Sequence, residues 1–224
     1  MPRYNLSLIM SKNISCGIDF GTTNTSLAVY KNGKIHTINI DPISPNPTIS
    51  RSVIYISPKN SLSFGQQAIN NYNHAIEQNE ARTKVKIDTG RTIKIAQYSA
   101  VGGYKGEKEV PEIIELEKGG EGRLLQSIKS GLSKQYFTQI TAFGHEYEII
   151  DLIAKYLEHI KKQAENEIED QIDNAAIGRP VNYVGGNNSI AIAKMRLAAQ
   201  KAGFKKIKFE YEQHGALQNY QQPV

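Results

Sequence analysis

Asp19, Gly21, Thr22, Thr23 and Asn24 lie within six consecutive positions, and their types suit one kind of chemistry. A carboxylate followed by a glycine and three small polar residues can grip a phosphate and the cation that travels with it. Backbone N–H groups at a Gly-Thr-Thr corner can face an anion, as nests in phosphate-binding turns do. One aspartate at the rim suits magnesium, which keeps most of its waters and takes few carboxylates. The plain alternative is a β-hairpin whose turn happens to be Gly-Thr-Thr-Asn.

The elements around the corner must position it. Ile14 to Phe20 is apolar apart from its late aspartate, which reads as a buried strand carrying Asp19 to its end. Ser26 to Tyr30 resumes an apolar strand, and Asn32-Gly33 is a strong two-residue hairpin signal joining Leu27–Lys31 to Lys34–Ile40. The first three strands are therefore expected to form an antiparallel meander. Val53 to Ile56 reads as a further strand, and a helix is expected from Phe64 through Asn71 toward Ala81. Thr83–Ile87 and Thr92–Ile95 alternate around Asp88-Thr89-Gly90-Arg91, which argues a hairpin turning there with one lysine-rich face. Such a face could meet nucleic acid, but a solvated edge guarded by its charges is the commoner case. Gly102-Gly103 and Gly119-Gly120 mark loops, and neither is followed by the Gly-Lys-Ser/Thr of a Walker A loop.

Leu124 to Leu132 reads as a short helix or turn bearing Lys129. From Glu146 the pattern becomes a long amphipathic helix, with Ile149, Ile153, Leu157, Ile160 and Ala164 on one stripe. Glu146, Glu148 and Asp151 are expected in its first turns and Lys161 and Lys162 further along, as the helix dipole favours. His145 and His159 lack a second ligand at metal spacing and read as surface residues. Ala175 to Tyr183 is a strand ending at Pro180, Ser189 to Ala202 a helix closed by Gly203, and Ile207 to Glu212 the last strand. The order is three strands, an insertion, helix, strand, helix, strand. That order predicts an α/β fold, a ribonuclease-H-like lobe whose mixed sheet carries helices, with an α+β subdomain inserted over residues 43–140.

Composition sets the outer limits. The 224 residues are 39% hydrophobic and 22% charged, an ordinary globular balance. A single cysteine cannot form an internal disulfide, which points to a reducing, cytoplasmic setting. No apolar run is long enough for a signal peptide or a membrane span, and residues 1–12 read as a disordered leader to a lobe over 13–224. A net charge of +5 does not by itself indicate a nucleic-acid protein.

Four stretches in order resemble the first ATPase lobe of a DnaK-type, seventy-kilodalton heat-shock chaperone of a divergent bacterial branch. They are Asp19–Asn24, Ser127–Leu132, Ile177–Tyr183 and Ala199–Glu212. The likeness covers most of residues 14 to 212, with residues 70 to 120 matching poorly. It implies ATP or ADP and Mg²⁺ as cofactors. Asp19 would hold the metal through water, while Gly21, Thr22, Thr23 and Asn24 would meet the phosphates. It further implies that Lys129 neutralises charge on the transferring phosphate, where positioning and electrostatics do most of the work. Glu212 would orient the attacking water, and Pro180 would relay nucleotide state.

Departures from the family pattern follow Glu212, where Gln213 stands in place of a proline and no Asp-x-Gly-Gly-Gly-Thr loop appears. The expectation is a truncated lobe, weak or inactive alone, ended by an expression boundary or an interrupted gene. Its partners would be nucleotide, a separately encoded second lobe or cochaperones, with no membrane and no nucleic acid. A fragment of a sugar or acetate kinase, or an actin-like structural module without catalysis, are the alternatives.

Overall fold

A computed structural model describes residues 14–78, 83–98, 104–118, 120–134, 136, 138–181 and 187–211. The expected leader, Gly102, Gly103, Gly119, Asn182, Tyr183 and everything from Glu212 onward lie outside the described residues. In chain order come β1 (Ile14–Phe20), β2 (Asn24–Lys31), β3 (Lys34–Thr37), β4 (Ile49–Arg51), β5 (Ile54–Ile56) and β6 (Leu62–Phe64). They are followed by α1 (Gly65–Glu77), β7 (Thr83–Tyr98), β8 (Tyr104–Lys118), β9 (Arg123–Leu125), β10 (Gln139–Ala142) and β11 (His145–Glu148). The last elements are α2 (Ile149–Ile168), β12 (Ile172–Arg179), α3 (Asn188–Lys201) and β13 (Lys206–Tyr211).

The main sheet runs β13-β12-β1-β2-β3, with β4 also pairing β2. β1 is antiparallel to β2, with Asp19 opposite Ser26 and Phe20 opposite Thr25. It is parallel to β12, with Ile18 opposite Ile177. β13 lies parallel to β12 on the far side, and α3 supplies the crossover that two parallel neighbours require. The sheet is therefore mixed, and the α/β class holds. Between β2 and β3, Asn32 and Gly33 both take positive φ (55° and 79°), the backbone of a tight hairpin that matches strand twist.

Strand alternation decides which face is covered. Ile14, Cys16, Ile18 and Phe20 are buried, whereas Ser15, Gly17 and Asp19 are exposed. The buried set meets the expected α2 stripe, every member of which is buried, and Ala191, Met195, Ala198 and Ala199 of α3. On the opposite face a side chain added at Gly17 would meet nothing within 4 Å. A smaller sheet, β6-β5-β9, stands beside α1 and shares the same core through Ile54, Ile56 and Leu125.

Several local expectations are corrected. Asp88 to Arg91 is no hairpin turn: β7 continues through it to Tyr98 and pairs along its length with β8. The turn chemistry is spent on a bulge, where Gly90 at φ 73° donates its N–H to the Asp88 carboxylate at 2.9 Å. On this ribbon Lys94 lies 4.0 Å from Glu107 of β8. Glu146 and Glu148 belong to β11, so among the expected acidic residues only Asp151 occupies the first turn of α2. The helix runs on to Ile168, which leaves Lys161 and Lys162 mid-helix. Lys161 instead donates to the Gly203 carbonyl at the end of α3, at 2.9 Å. His159 is half-buried, its ring 5.1 Å from that of Phe64, and burial lowers its pKa.

Cys16 supplies a test of this core. Only 2% of its surface is exposed, and burial pushes its thiol from 9.0 up to about 12. The thiolate is the nucleophile, so an aromatic disulfide reagent near neutral pH should modify the folded chain ~1000-fold more slowly than the denatured one. Between these two pKa values the folded state holds a proton that the unfolded state has lost. Stability should therefore fall as pH rises from 9 toward 12, as a denaturant titration at several pH values would show. Modification of the folded chain at the denatured rate would refute the buried position.

Candidate functional site

The corner between β1 and β2 is built on a glycine that cannot be exchanged. Gly21 donates its N–H to the Asn24 carbonyl at 2.9 Å. A Cβ at this position would sit 2.4 Å from that carbonyl oxygen. Thr22 and Thr23 thus project at the tip of a tight reversal, and both are exposed. The reversal is anchored from behind: Ser52 donates its backbone N–H to the Thr23 carbonyl at 2.8 Å, and the Thr25 and Ser52 hydroxyls are 2.9 Å apart.

Beside this tip opens a cleft of about 220 Å³, lined by Thr22, Thr23, Arg51, Val53, Ile69, Gln126 and Ser127. Three separate segments make its polar wall. β4 contributes Arg51, which pairs in register with Asn24 and reaches its side-chain oxygen at 3.3 Å. Ser127 comes from the turn before the short helix Ile128–Gly131 and has left-handed backbone (φ 55°), which is uncommon for a residue with a side chain. Val53 and Ile69 close the apolar side. Small hydroxyls and one guanidinium around a shallow space favour an anion carrying several oxygens.

Asp19 stands on the exposed face near the carboxyl end of β1. Since β1, β12 and β13 are parallel, Asp19, Gly178 and Glu210 follow the Ile18, Ile177 and Phe209 row along one rim. Ligands of open α/β sheets settle outside such carboxyl ends. Among the described residues no three His, Cys, Asp or Glu side chains gather into a metal cluster. An exposed carboxylate two residues before the Gly21 corner is of the type that suits a hydrated magnesium ion, which takes few carboxylates and keeps most of its waters.

The chain is similar to a chaperone. It is 25% identical over 209 residues to the Chaperone protein HscA homolog of Rickettsia felis, which covers 93% of this chain and 26% of that protein. No protein-family model matches. The chain thus spans about a quarter of the length of its curated relative, and the likeness supports a common origin with chaperones of the DnaK type. No described helix is long and apolar enough to cross a membrane.

Set against the chaperone resemblance, the expected site residues divide. Gly21, Thr22, Thr23 and Asn24 come together at the corner, with Asp19 one strand step away. Pro180 directly follows β12, its carbonyl accepting from the Arg179 guanidinium at 3.4 Å, and that guanidinium covers the Tyr211 ring at 3.9 Å. Glu212 lies outside the described residues. Lys129 is only 8% exposed and does not line the cleft; its neighbour Ser127 does.

Sequence reasoning did not single out Arg51, Ser127 or the residues bracing β4. Tyr156 of α2, fully buried, donates its hydroxyl to the Arg51 carbonyl at 3.1 Å. Asp41, also buried, accepts from the Ser50 hydroxyl at 3.1 Å and the Gln66 N–H at 2.9 Å, which caps α1. A cation just ahead of the apolar run Val53–Ile56 was the one available hint.

Proposed function

We propose that this chain is the nucleotide-binding lobe of a DnaK-like chaperone, built on a ribonuclease-H-like sheet with residues 43–140 as its inserted subdomain. It grips the phosphates of ATP or ADP at the Gly21–Asn24 corner and holds magnesium through water at Asp19. The observation that carries this reading is the cleft formed by Thr22 and Thr23 with Arg51 and Ser127 at the mouth of the mixed sheet. The chaperone likeness over 93% of the chain supports it independently.

Size limits what this lobe does by itself. About 220 Å³ is smaller than the ~300–1000 Å³ of sites that enclose a drug-sized ligand. The cleft suits the phosphate end of a nucleotide, and the adenosine end falls to a second lobe, carried on the same polypeptide or a separate one. When bound, magnesium offsets the negative charge of the phosphate oxygens. The chain's own part is positioning: the two threonine hydroxyls fix the phosphate, and Asp19 orients the waters of the ion. Lys129, Glu212 and Pro180 take the roles implied by the resemblance in the assembled two-lobed protein, where cochaperones act on the nucleotide cycle.

Amide NMR during titration with Mg·ATP tests the reading. Shifts should concentrate at Thr22, Thr23 and Ser127 with an affinity of ~1 mM, near −4 kcal/mol, and with no hydrolysis. The Thr22→Ala/Thr23→Ala variant should lose them. Micromolar binding by the chain alone, or shifts that bypass the corner, would overturn it.

A further inference from the structure

We infer that Arg51 is a phosphate-binding residue of this cleft and supplies its positive charge. The inference rests on the phosphate reading above and adds a residue which that reading did not contain. Of the seven residues lining the cleft, Arg51 alone carries a formal charge, while Lys129 is buried in the short helix behind Ser127 and outside the lining. A polyphosphate in this space would therefore meet one guanidinium and a set of hydroxyls.

Placement makes the guanidinium more than a surface charge. The Arg51 backbone is held on three sides: by pairing with Asn24, by the Tyr156 hydroxyl on its carbonyl, and by the adjacent Ser52 N–H on Thr23. Its side chain extends over the corner, with one terminal nitrogen 3.3 Å from the Asn24 side-chain oxygen. That bond uses one donor of five, and the planar fork keeps others available to span two oxygens of one phosphate. The chemical class it selects is a di- or triphosphate rather than a neutral or monoanionic ligand, since attraction grows with each added charge.

Inorganic tripolyphosphate with magnesium is the suitable probe, because it needs no adenosine pocket. Calorimetric titration of the whole chain should show the Arg51→Gln variant binding at least ten-fold more weakly than the parent. Arg51→Lys, which keeps the charge and loses the fork, should fall between them. The melting temperatures of both should match the parent, because the replaced side chain is exposed. If Thr22→Ala/Thr23→Ala abolishes binding while Arg51→Gln leaves it unchanged, Arg51 is excluded and the phosphate corner stands. If the parent itself binds no tripolyphosphate at millimolar concentration, the corner reading falls and Arg51 falls with it.

Discussion

Replacing Gly65 with alanine should cost about 4 kcal/mol and lower the melting temperature by roughly 10 °C, among the largest effects a single methyl group can have in a chain of this size. Gly65 opens α1 with φ +57°, and a Cβ there would lie 2.3 Å from the Asp41 carboxylate and 2.5 Å from the Ser50 hydroxyl. Left-handed backbone alone costs an alanine about 1–2 kcal/mol. The clash cannot be relieved by swinging Asp41 aside. That carboxylate is 5% exposed and engaged by both Ser50 and the Gln66 N–H, and hydrogen bonds to charged groups contribute about 1.5–3 kcal/mol each. Because the new methyl acts by displacing Asp41, the losses from Gly65→Ala and Asp41→Ala should fall well short of adding in the double variant. Calorimetric melting of the three proteins decides this. A Gly65→Ala protein that melts within about 2 °C of the parent would mean that Asp41 does not cap α1.

What the residues disclosed by themselves follows from the range of the forces involved. β1, the Asn32-Gly33 turn and the α2 stripe are set by local alternation, by a left-handed pair and by a 3.6-residue period, all visible in a short window. The path of β7 was hidden because Asp88 and Gly90 make the same local bond in a bulge as in a turn. Only the partner strand at residues 104–118, remote in sequence, chooses between the two. The corner was legible in Asp19–Asn24, but the cleft was not. Its charge comes from Arg51, 27 residues away from the Asn24 side chain it touches, and its far wall from Ser127. No spacing rule links three such segments. His159, read as a surface residue, was misjudged for a related reason: residue type gives an average exposure, whereas packing against Phe64 sets the actual one.

Tyr156 joins the core to the cleft, and its replacement should separate the two contributions. Its ring packs with Phe20 at 5.8 Å and Phe64 at 6.1 Å, while its hydroxyl bonds the Arg51 carbonyl and interacts with the hydroxyls of Thr25, Ser50 and Ser52. Tyr156→Ala removes ring and hydroxyl together and should cost about 3–5 kcal/mol, the range for deleting a buried aromatic. Tyr156→Phe keeps the ring and removes one bond to the Arg51 carbonyl, which still accepts from the Val53 N–H at 2.8 Å, for about 0.5–1.5 kcal/mol. Burial raises the phenol pKa, so the folded state retains a proton that the unfolded chain gives up. The hydroxyl's contribution should accordingly vanish as pH rises above the ordinary value of 10.0, and Tyr156→Phe should be less sensitive to alkali than the parent. The decisive readout is binding. A phenylalanine that holds the core yet releases β4 should weaken magnesium tripolyphosphate binding several-fold, although it touches no ligand. Unchanged binding in a destabilised Tyr156→Phe protein would confine this tyrosine to the core and leave the aim of Arg51 to its strand pairing with Asn24.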